Sequence, residues 1–569
     1  MPKILILDAE SSAGIESLQT LGRAGAVVHA ASADEHCLAF HSRYCAAAVP
    51  QPARPDELLA WLTARHAEHA YDLIIPATEK TLMVFADPQC SESLRQKAVV
   101  PSRESLALAI NKESIWHLAN TLSVSVPASV LASSASVPAI PYEYPVAVKP
   151  VQSKQITDGR IVDRRVAYAH NEAQLLEILA SAPESSFQIQ ELIHGYGVGI
   201  ELLFAHGEPV LHFAHERIHE LPLTGGGSSY RKSIPPPPAL LAQSIALLKA
   251  LHWHGVAMVE WKVDPHKDAV LIEINPRLWG SLALAIDAGA DFPRGLLAVA
   301  QGNPLPPQKP ARTPYYTRDL TRDFEWQIAN FRADHTNPQL LTQPRLASAF
   351  ELLRPLLFKE SWDFFDFADP GITLRRIGSY FSLKLSALTG KVQRKFRNRR
   401  FLRTTHPRIL AETLASPHGP KNILFLCYGN ICRSPLAELA AHTALPGHII
   451  QSAGFHPKVN RRSPAHVQRS ATRLGIDMDA HRSRQVTSQD IDQADLVLVM
   501  DWKNYAQLLR AFPQSEKKTT FLGLFNPSPT IEIEDPYDLT GARVDQVVDL
   551  IANATQGLAA KLPPLEKQP

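Results

Sequence analysis

Cysteine is scarce in this chain, at five among 569 residues. Cys37, Cys45 and Cys90 are scattered through the first hundred positions and offer no spaced set from which a disulfide framework could be built. No run of about 18 uncharged apolar residues occurs, which argues against a membrane span. The start, Met1-Pro2-Lys3 followed by Ile4-Leu5-Ile6-Leu7, reads as a short strand with no secretory apolar region or cleavage site. Together these absences predict a cytoplasmic protein in a reducing compartment. A dominant charge is missing too: 58 Lys and Arg against 56 Asp and Glu leave a net +2, which gives no support to a global nucleic-acid binder. There is no internal repeat.

At 569 residues the chain exceeds what one core supports, and its length predicts three or four domains. A composition of 45% apolar and 20% charged residues is that of ordinary globular protein. Ile4 to Leu7, a helical pattern through Leu21, Ala26-Val27-Val28 and Asp72-Leu73-Ile74-Ile75 alternate as βαβ units of a parallel sheet. No GxGxxG follows the first strand, so a dinucleotide fingerprint is absent.

The densest chemistry lies in Cys427-Tyr428-Gly429-Asn430-Ile431-Cys432-Arg433-Ser434, between the apolar run Ile423 to Leu426 and a helix opened by Pro435. A strand ending in a tight loop turns backbone N–H groups inward, and the following helix N-terminus adds partial positive charge for an oxyanion. Cys427 sits in that field as a candidate nucleophile. Arg433 offers a planar two-pronged donor for phosphoryl oxygens. Ser434 can cap the helix and hydrogen-bond the sulfur. Asp535, on the turn Asp535-Pro536-Tyr537, is a candidate proton donor.

This pattern resembles the low-molecular-weight protein tyrosine phosphatases from about Lys421 to the C-terminus. It includes Ser452-Ala453-Gly454, His481-Arg482-Ser483-Arg484 and Val499-Met500-Asp501 in the family's order. The resemblance implies a doubly wound parallel-sheet domain that needs no cofactor, with Cys427 as nucleophile, Arg433 as transition-state clamp and Asp535 as general acid. Its substrate would be a phosphotyrosine protein or small aryl phosphate. Ile431 stands where relatives acting on phosphoarginine tend to carry Thr, while Tyr537 and Tyr428 would wall a slot for a phenyl ring. Asp538 departs from the aromatic residue often found there. Cys432 is either a small buried thiol or the partner in a reversible disulfide that switches Cys427 off.

In the first half, Pro145-Val146-Ala147-Val148-Lys149-Pro150 reads as a strand presenting a lysine, and Gln188 to Ile193 as another. Val259 to Val263 and Val270 to Asn275 flank a turn at Pro265-His266-Lys267-Asp268. If those four residues form the loop, Glu260 lies opposite Glu273 and Asn275 shares their face. Facing carboxylates repel, and a divalent cation between them makes the pair tolerable. Another register, with a solvated edge, is the alternative.

These residues resemble the ATP-grasp superfamily of the carboxylate–amine ligase type over roughly Met1 to Pro304. The resemblance implies a Rossmann-like pre-domain at 1–105 and an ATP-grasp domain of two α+β lobes at 106–310. It implies Lys112 and Lys149 on ATP phosphates and a hinge from Gln190 and Glu191 to Ile193 on adenine. Glu201 would meet the ribose, Glu260, Glu273 and Asn275 would hold Mg²⁺, and Arg277 would stabilise an acyl phosphate. A small carboxylate and an amine would be the substrates. Lysine alone is more often a surface charge, and the glycine-rich flap usual after the strand lysine is replaced by Pro150-Val151-Gln152-Ser153-Lys154-Gln155, with glycine at Gly159. Arg217 and the loop Leu223-Thr224-Gly225-Gly226-Gly227-Ser228-Ser229 resemble the acceptor-side loop of carboxylate–amine ligases; a flexible connection is the alternative.

Residues 311–420 read as a helical, basic connector before the phosphatase-like domain at 421–569. Ile377 to Ala411 contains no acidic residue, and Ser416-Pro417-His418-Gly419-Pro420 marks a boundary. A solvated linker, a strip docked on a neighbouring domain and peripheral membrane contact through 391–403 are all open; nucleic acid is disfavoured. Three functions follow: two catalytic halves, an ATP-grasp half that only senses nucleotide and regulates the phosphatase, or a scaffold recruited through its connector.

Overall fold

The computed structural model describes residues 1–133, 136–151, 154–157, 160–163, 166–180, 186–264, 268–305, 307–337, 339–354, 360–414, 419–539 and 541–562. The chain is mixed α/β and divides into two compact units, Met1–Leu383 and Lys384–Pro569.

In the first unit, Lys3–Leu7, Val27–Ser32, Cys45–Pro50 and Leu73–Pro76 form a four-stranded parallel sheet, as the alternation of apolar runs and helical patterns predicts. A second, antiparallel sheet has the order Ser129–Ala132, Phe187–Glu191, Val146–Pro150, Ala167–Ala169. It brings the Lys149 strand beside the hinge strand, with Lys149 paired to Gln188. A third sheet has seven strands, starting from the hairpin Val270–Asn275 with Gly255–Val263 and running on through Tyr196–Ala205, Glu208–Leu221 and Gly227–Ser233. Trp253 and Trp261 are fully buried in the core on one face of that sheet.

The expected connector does not stand apart as one element. Tyr316–Arg318 pairs with Gly227–Ser233, and Ser361–Trp362 lies parallel beside it as the sheet's last strand. Buried charge holds this addition in place: Arg318 bonds Asp323 and, at 2.7 Å, Glu360. His219 lies 2.7 Å from Asp323, 3.2 Å from Glu351 and flat on Trp326. The helix Pro370–Arg400 follows; its residues up to Leu383 are counted with the first unit and those from Lys384 with the second.

The second unit is built on the parallel sheet Ile449–Gly454, Asn422–Cys427, Leu496–Val499, Thr519–Phe521. Its central strand is buried from Ile423 to Cys427, so the strand ends by delivering Cys427 to the sheet's carboxyl edge. Phe401 packs edge-on against Trp502, Tyr505 and Phe521, and Trp502 Nε1 donates to Asn398 Oδ1 at 2.7 Å. The residues just after the long helix are therefore part of this unit's core. No helix of the described residues is long and apolar enough to cross a membrane. Residues 416–418 of the expected boundary lie outside the described residues.

Candidate active sites

The cysteine loop closes on itself because Asn430 adopts a left-handed backbone (φ 51°) and spends its side chain on three neighbours. Asn430 Nδ2 donates to Ser434 Oγ at 3.0 Å and to Ser452 Oγ at 2.8 Å, and Oδ1 accepts from the Arg484 N–H at 2.9 Å. Its own backbone N–H points at Cys427 Sγ, 3.2 Å away. Ser434 Oγ is 3.1 Å from the same sulfur. The Asn430 N–H and the Ser434 hydroxyl thus converge on Cys427, an arrangement that suits a sulfur carrying negative charge. A side chain on Gly454 would stand 2.8 Å from both Asn430 N and Tyr428 O, which explains glycine in Ser452-Ala453-Gly454.

Arg433 is buried at the start of the helix Arg433–Ala444. Nη1 donates to Asp501 Oδ2 at 2.7 Å and to Ile533 O at 3.0 Å, and Nη2 donates to Asp535 Oδ2 at 2.6 Å. Nε is buried with no partner among the described residues, a donor that an oxyanion would satisfy. Burial alone would depress the Arg433 pKa, but Cys427, Asp535 and Asp501 outweigh it and raise the net value. Burial, helped by Asp535 and Cys427, pushes the Cys432 thiol up. Cys427 and Cys432 are both free and buried. Tyr428 and Tyr537 are exposed. Sequence reasoning gave no role to Asn430 or to Asp501, although Asp501 belonged to a recognised motif.

The second site is a cleft of about 360 Å³ in the first unit, lined by Lys149, Gln190, Glu191, Ile193, Glu260, Glu273, Asn275 and Arg277 among others. Glu260 pairs with Glu273 across the ladder, as the hairpin count predicts. The route to that pairing differs. Nearer the turn, Lys262 pairs with Val270 and Trp261 with Leu271, one residue away from the four-residue-loop register, and an irregularity between Glu260 and Trp261 absorbs Ile272. The expected loop residues 265–267 lie outside the described residues, as do 152–153 and 158–159 of the flap region. Asn275 Nδ2 donates to Glu260 Oε1 at 2.9 Å and to Glu273 Oε1 at 3.1 Å.

Arg217 enters the same group, with Nη2 2.7 Å from Glu260 Oε1 and Nη1 donating to Gly226 O at 3.1 Å. Burial works against its charge, yet Glu260 and Glu220 hold the Arg217 pKa above its ordinary value. Burial lowers the Lys149 pKa, with Lys112 adding to the effect and Glu273 opposing it. Glu273 is pushed up by burial, but Lys112, Lys149, Asn275 and Arg277 prevail and its net shift is downward. Lys112 lines a smaller adjoining cavity that shares Pro127, Gln190, Ile272 and Glu273 with the cleft.

Glu201 requires a correction. It is fully buried, bonded to His215 and not among the residues that line the cleft. Among the described residues no group of three or more His, Cys, Asp and Glu is placed to hold a metal. The two carboxylates and one amide nevertheless suit a hard cation that keeps several waters. The charged lining is balanced, with Lys149, Arg217, Lys262 and Arg277 against Glu191, Glu220, Glu260 and Glu273. A triphosphate entering it would require added positive charge, and the facing carboxylates are where a divalent cation would supply it.

The family model described as "Low molecular weight phosphotyrosine protein phosphatase" matches residues 422–568. Low molecular weight protein-tyrosine-phosphatase Etp of Escherichia coli (strain K12) is 32% identical over 141 residues, which is 25% of this chain and 94% of Etp. A protein-arginine-phosphatase of Geobacillus stearothermophilus is 35% identical over 119 residues, 21% of this chain and 80% of that protein. The crystal structure of an L-amino acid ligase from Bacillus licheniformis is similar with a TM-score of 0.42 at 16% identity, over 53% of this chain and 74% of that one.

Proposed function

Through residues 422–568 the chain belongs to the low molecular weight phosphotyrosine protein phosphatase family, and from that premise we propose that Cys427 hydrolyses aryl phosphates, phosphotyrosine above all, in two steps. Cys427 Sγ attacks phosphorus while the bond from phosphorus to the aryl oxygen breaks, and Asp535 gives that oxygen its proton. Water then attacks the cysteinyl-phosphate with Asp535 as base, releasing phosphate and restoring the sulfur. Arg433 holds the equatorial oxygens. The observation carrying this reading is the convergence of Asn430 N and Ser434 Oγ on Cys427 Sγ, with Arg433 bonded to Asp535 beside it. Ile431 and the exposed Tyr428 and Tyr537 favour an aryl over a guanidino phosphate. Turnover of p-nitrophenyl phosphate by the wild type and by Cys427→Ser tests it: the substitution abolishes activity, and equal rates would refute the proposal.

The first unit, in our reading, binds Mg-ATP and activates a small carboxylate for ligation to an amine. Its support is the cleft itself, where the hinge Gln190 to Ile193, Lys149 and the facing pair Glu260 and Glu273 line one cavity. Glu260, Glu273 and Asn275 would hold the magnesium, which supplies charge neutralisation for the phosphates. Lys112, Lys149 and Arg277 would orient phosphate oxygens. Screening amino acids and small carboxylates for stimulated ADP release by the full chain tests this. Nucleotide binding with no stimulated release under any acid would assign the unit to nucleotide sensing instead.

A further inference from the structure

Residues 455–462 rim the cysteine loop with positive charge that the chemistry at Cys427 does not use. The stretch 451–476 contains no Asp or Glu, while Lys458, Arg461, Arg462, Arg469 and Arg473 fall within it. Its first part is fastened to the start of the loop. The N–H groups of Phe455 and His456 both donate to Tyr428 O at 2.9 Å, and the His456 ring stands edge-on to the exposed Tyr428 ring, with centroids 5.4 Å apart. Asn460 then turns the chain back through a left-handed backbone (φ 60°). Arg461 locks the turn: its Nη2 donates to Gly429 O at 2.6 Å, its Nε to Lys458 O at 3.0 Å and its backbone N–H to Ser483 Oγ at 3.0 Å. Lys458 and Arg462, on either side of it, are exposed and make no ion pair among the described residues.

Arg433 already serves the phosphoryl group, so cations held at the mouth of the loop suit a second anion on the same molecule. An extended peptide advances about 3.5 Å per residue, which brings the first few neighbours of a bound phosphotyrosine across this rim. We propose that the rim selects phosphotyrosines with Asp or Glu within about three residues, their carboxylates pairing with Lys458 and Arg462 while Arg461 holds the rim to the loop. Complementary charge at such a place confers specificity and speeds encounter more than it adds affinity. The cations are confined to the entrance of a site for one phosphoester, which favours an acidic peptide over a broad anionic surface. This inference rests on the reading of Cys427 as an aryl phosphatase nucleophile and names the substrate class of that site.

The test is kcat/KM of the full chain on three substrates: p-nitrophenyl phosphate, a phosphotyrosine peptide flanked by Asp and Glu, and the same peptide with Asn and Gln in their place. The acidic peptide should be preferred about tenfold over the neutral one at low salt, from two exposed charge pairs of about threefold each. High salt should shrink that ratio. Lys458→Glu/Arg462→Glu should reverse the ranking and favour the neutral peptide. Partial unfolding would lower both rates together and cannot produce a reversal. Arg461 is left intact because it is bonded to the loop itself. Equal kcat/KM for the two peptides, in a wild type that turns over p-nitrophenyl phosphate, would overturn the acidic specificity and leave the phosphatase reading standing. No turnover of any of the three would remove that reading and this inference with it. An acidic preference that the charge reversal leaves unchanged would take the rim out of substrate selection. Retention on anionic vesicles that the reversal abolishes, without any peptide preference, would assign the rim to a membrane surface instead.

Discussion

Arg433 and Asp535 bond directly, guanidinium Nη2 to carboxylate Oδ2 at 2.6 Å. The contact ties the proposed transition-state clamp to the proposed proton donor, and an arriving phosphate dianion would compete with Asp535 for the same cation. Asp535→Asn should therefore have two effects of opposite sense. With a poor leaving group such as phenyl phosphate, kcat should fall by about 10²–10⁴-fold, the typical contribution of a positioned general acid. Inhibition by inorganic phosphate should tighten, because the neutral amide no longer competes for Arg433 or repels the anion. Steady-state rates with phosphate as competitive inhibitor measure both, and an unchanged kcat would remove Asp535 from the mechanism.

Glu273 is held charged by Lys112 and Lys149 in a half-buried setting, so its removal should be felt twice. Glu273→Gln leaves Lys149 in a buried site without a charge that favours its ammonium form, and should lower the melting temperature of the free protein. It should also erase the stabilisation expected of Mg-ATP on the wild type, about 2.7 kcal/mol at a ligand concentration a hundredfold above Kd. Thermal melts with and without Mg-ATP separate the two effects. An equal Mg-ATP shift in both proteins would show that the cation does not depend on Glu273.

The two sites were legible in the sequence to different depths. The nucleophile loop can be read almost whole, because one strand, one loop and one helix deliver Cys427, Arg433 and Ser434 within eight residues. Asn430 escaped because its importance lies in a left-handed backbone and in bonds to Ser452 and Arg484, which are distant in sequence. In the hairpin, the pairing of Glu260 with Glu273 followed from counting across a loop of assumed length. A register irregularity at Ile272 compensates for the true register beyond it, and sequence periodicity carries no signal of such a bulge. Glu201 was assigned by likeness alone, and the burial that pairs it with His215 could not be read from its neighbours. The segment after Arg312 read as a connector because its strands are only two or three residues long and its hold on the sheet is ionic.

Glu16 gives the first unit a pH dependence of a specific sign. Its carboxyl, on the helix Ser12–Arg23, accepts the Phe364 N–H at 2.7 Å and so helps fasten the aromatic segment beginning at Trp362. Burial, together with Asp363 and Asp287, pushes its pKa from 4.5 to about 8. The folded state thus keeps a proton that the unfolded chain releases. The stabilisation linked to that proton is complete below about pH 4.5 and is lost progressively as pH rises through about 8. Glu16→Gln keeps an acceptor for Phe364 without the ionisation, so it should flatten the loss of stability over that interval and leave the variant more stable than wild type near pH 8.5. Urea melts from pH 5 to 9 measure it. A wild type and variant whose stabilities stay parallel across the range would place the Glu16 pKa near that of an ordinary carboxylate, and with it would go the argument that Asp363 and Asp287 crowd a neutral acid at this junction.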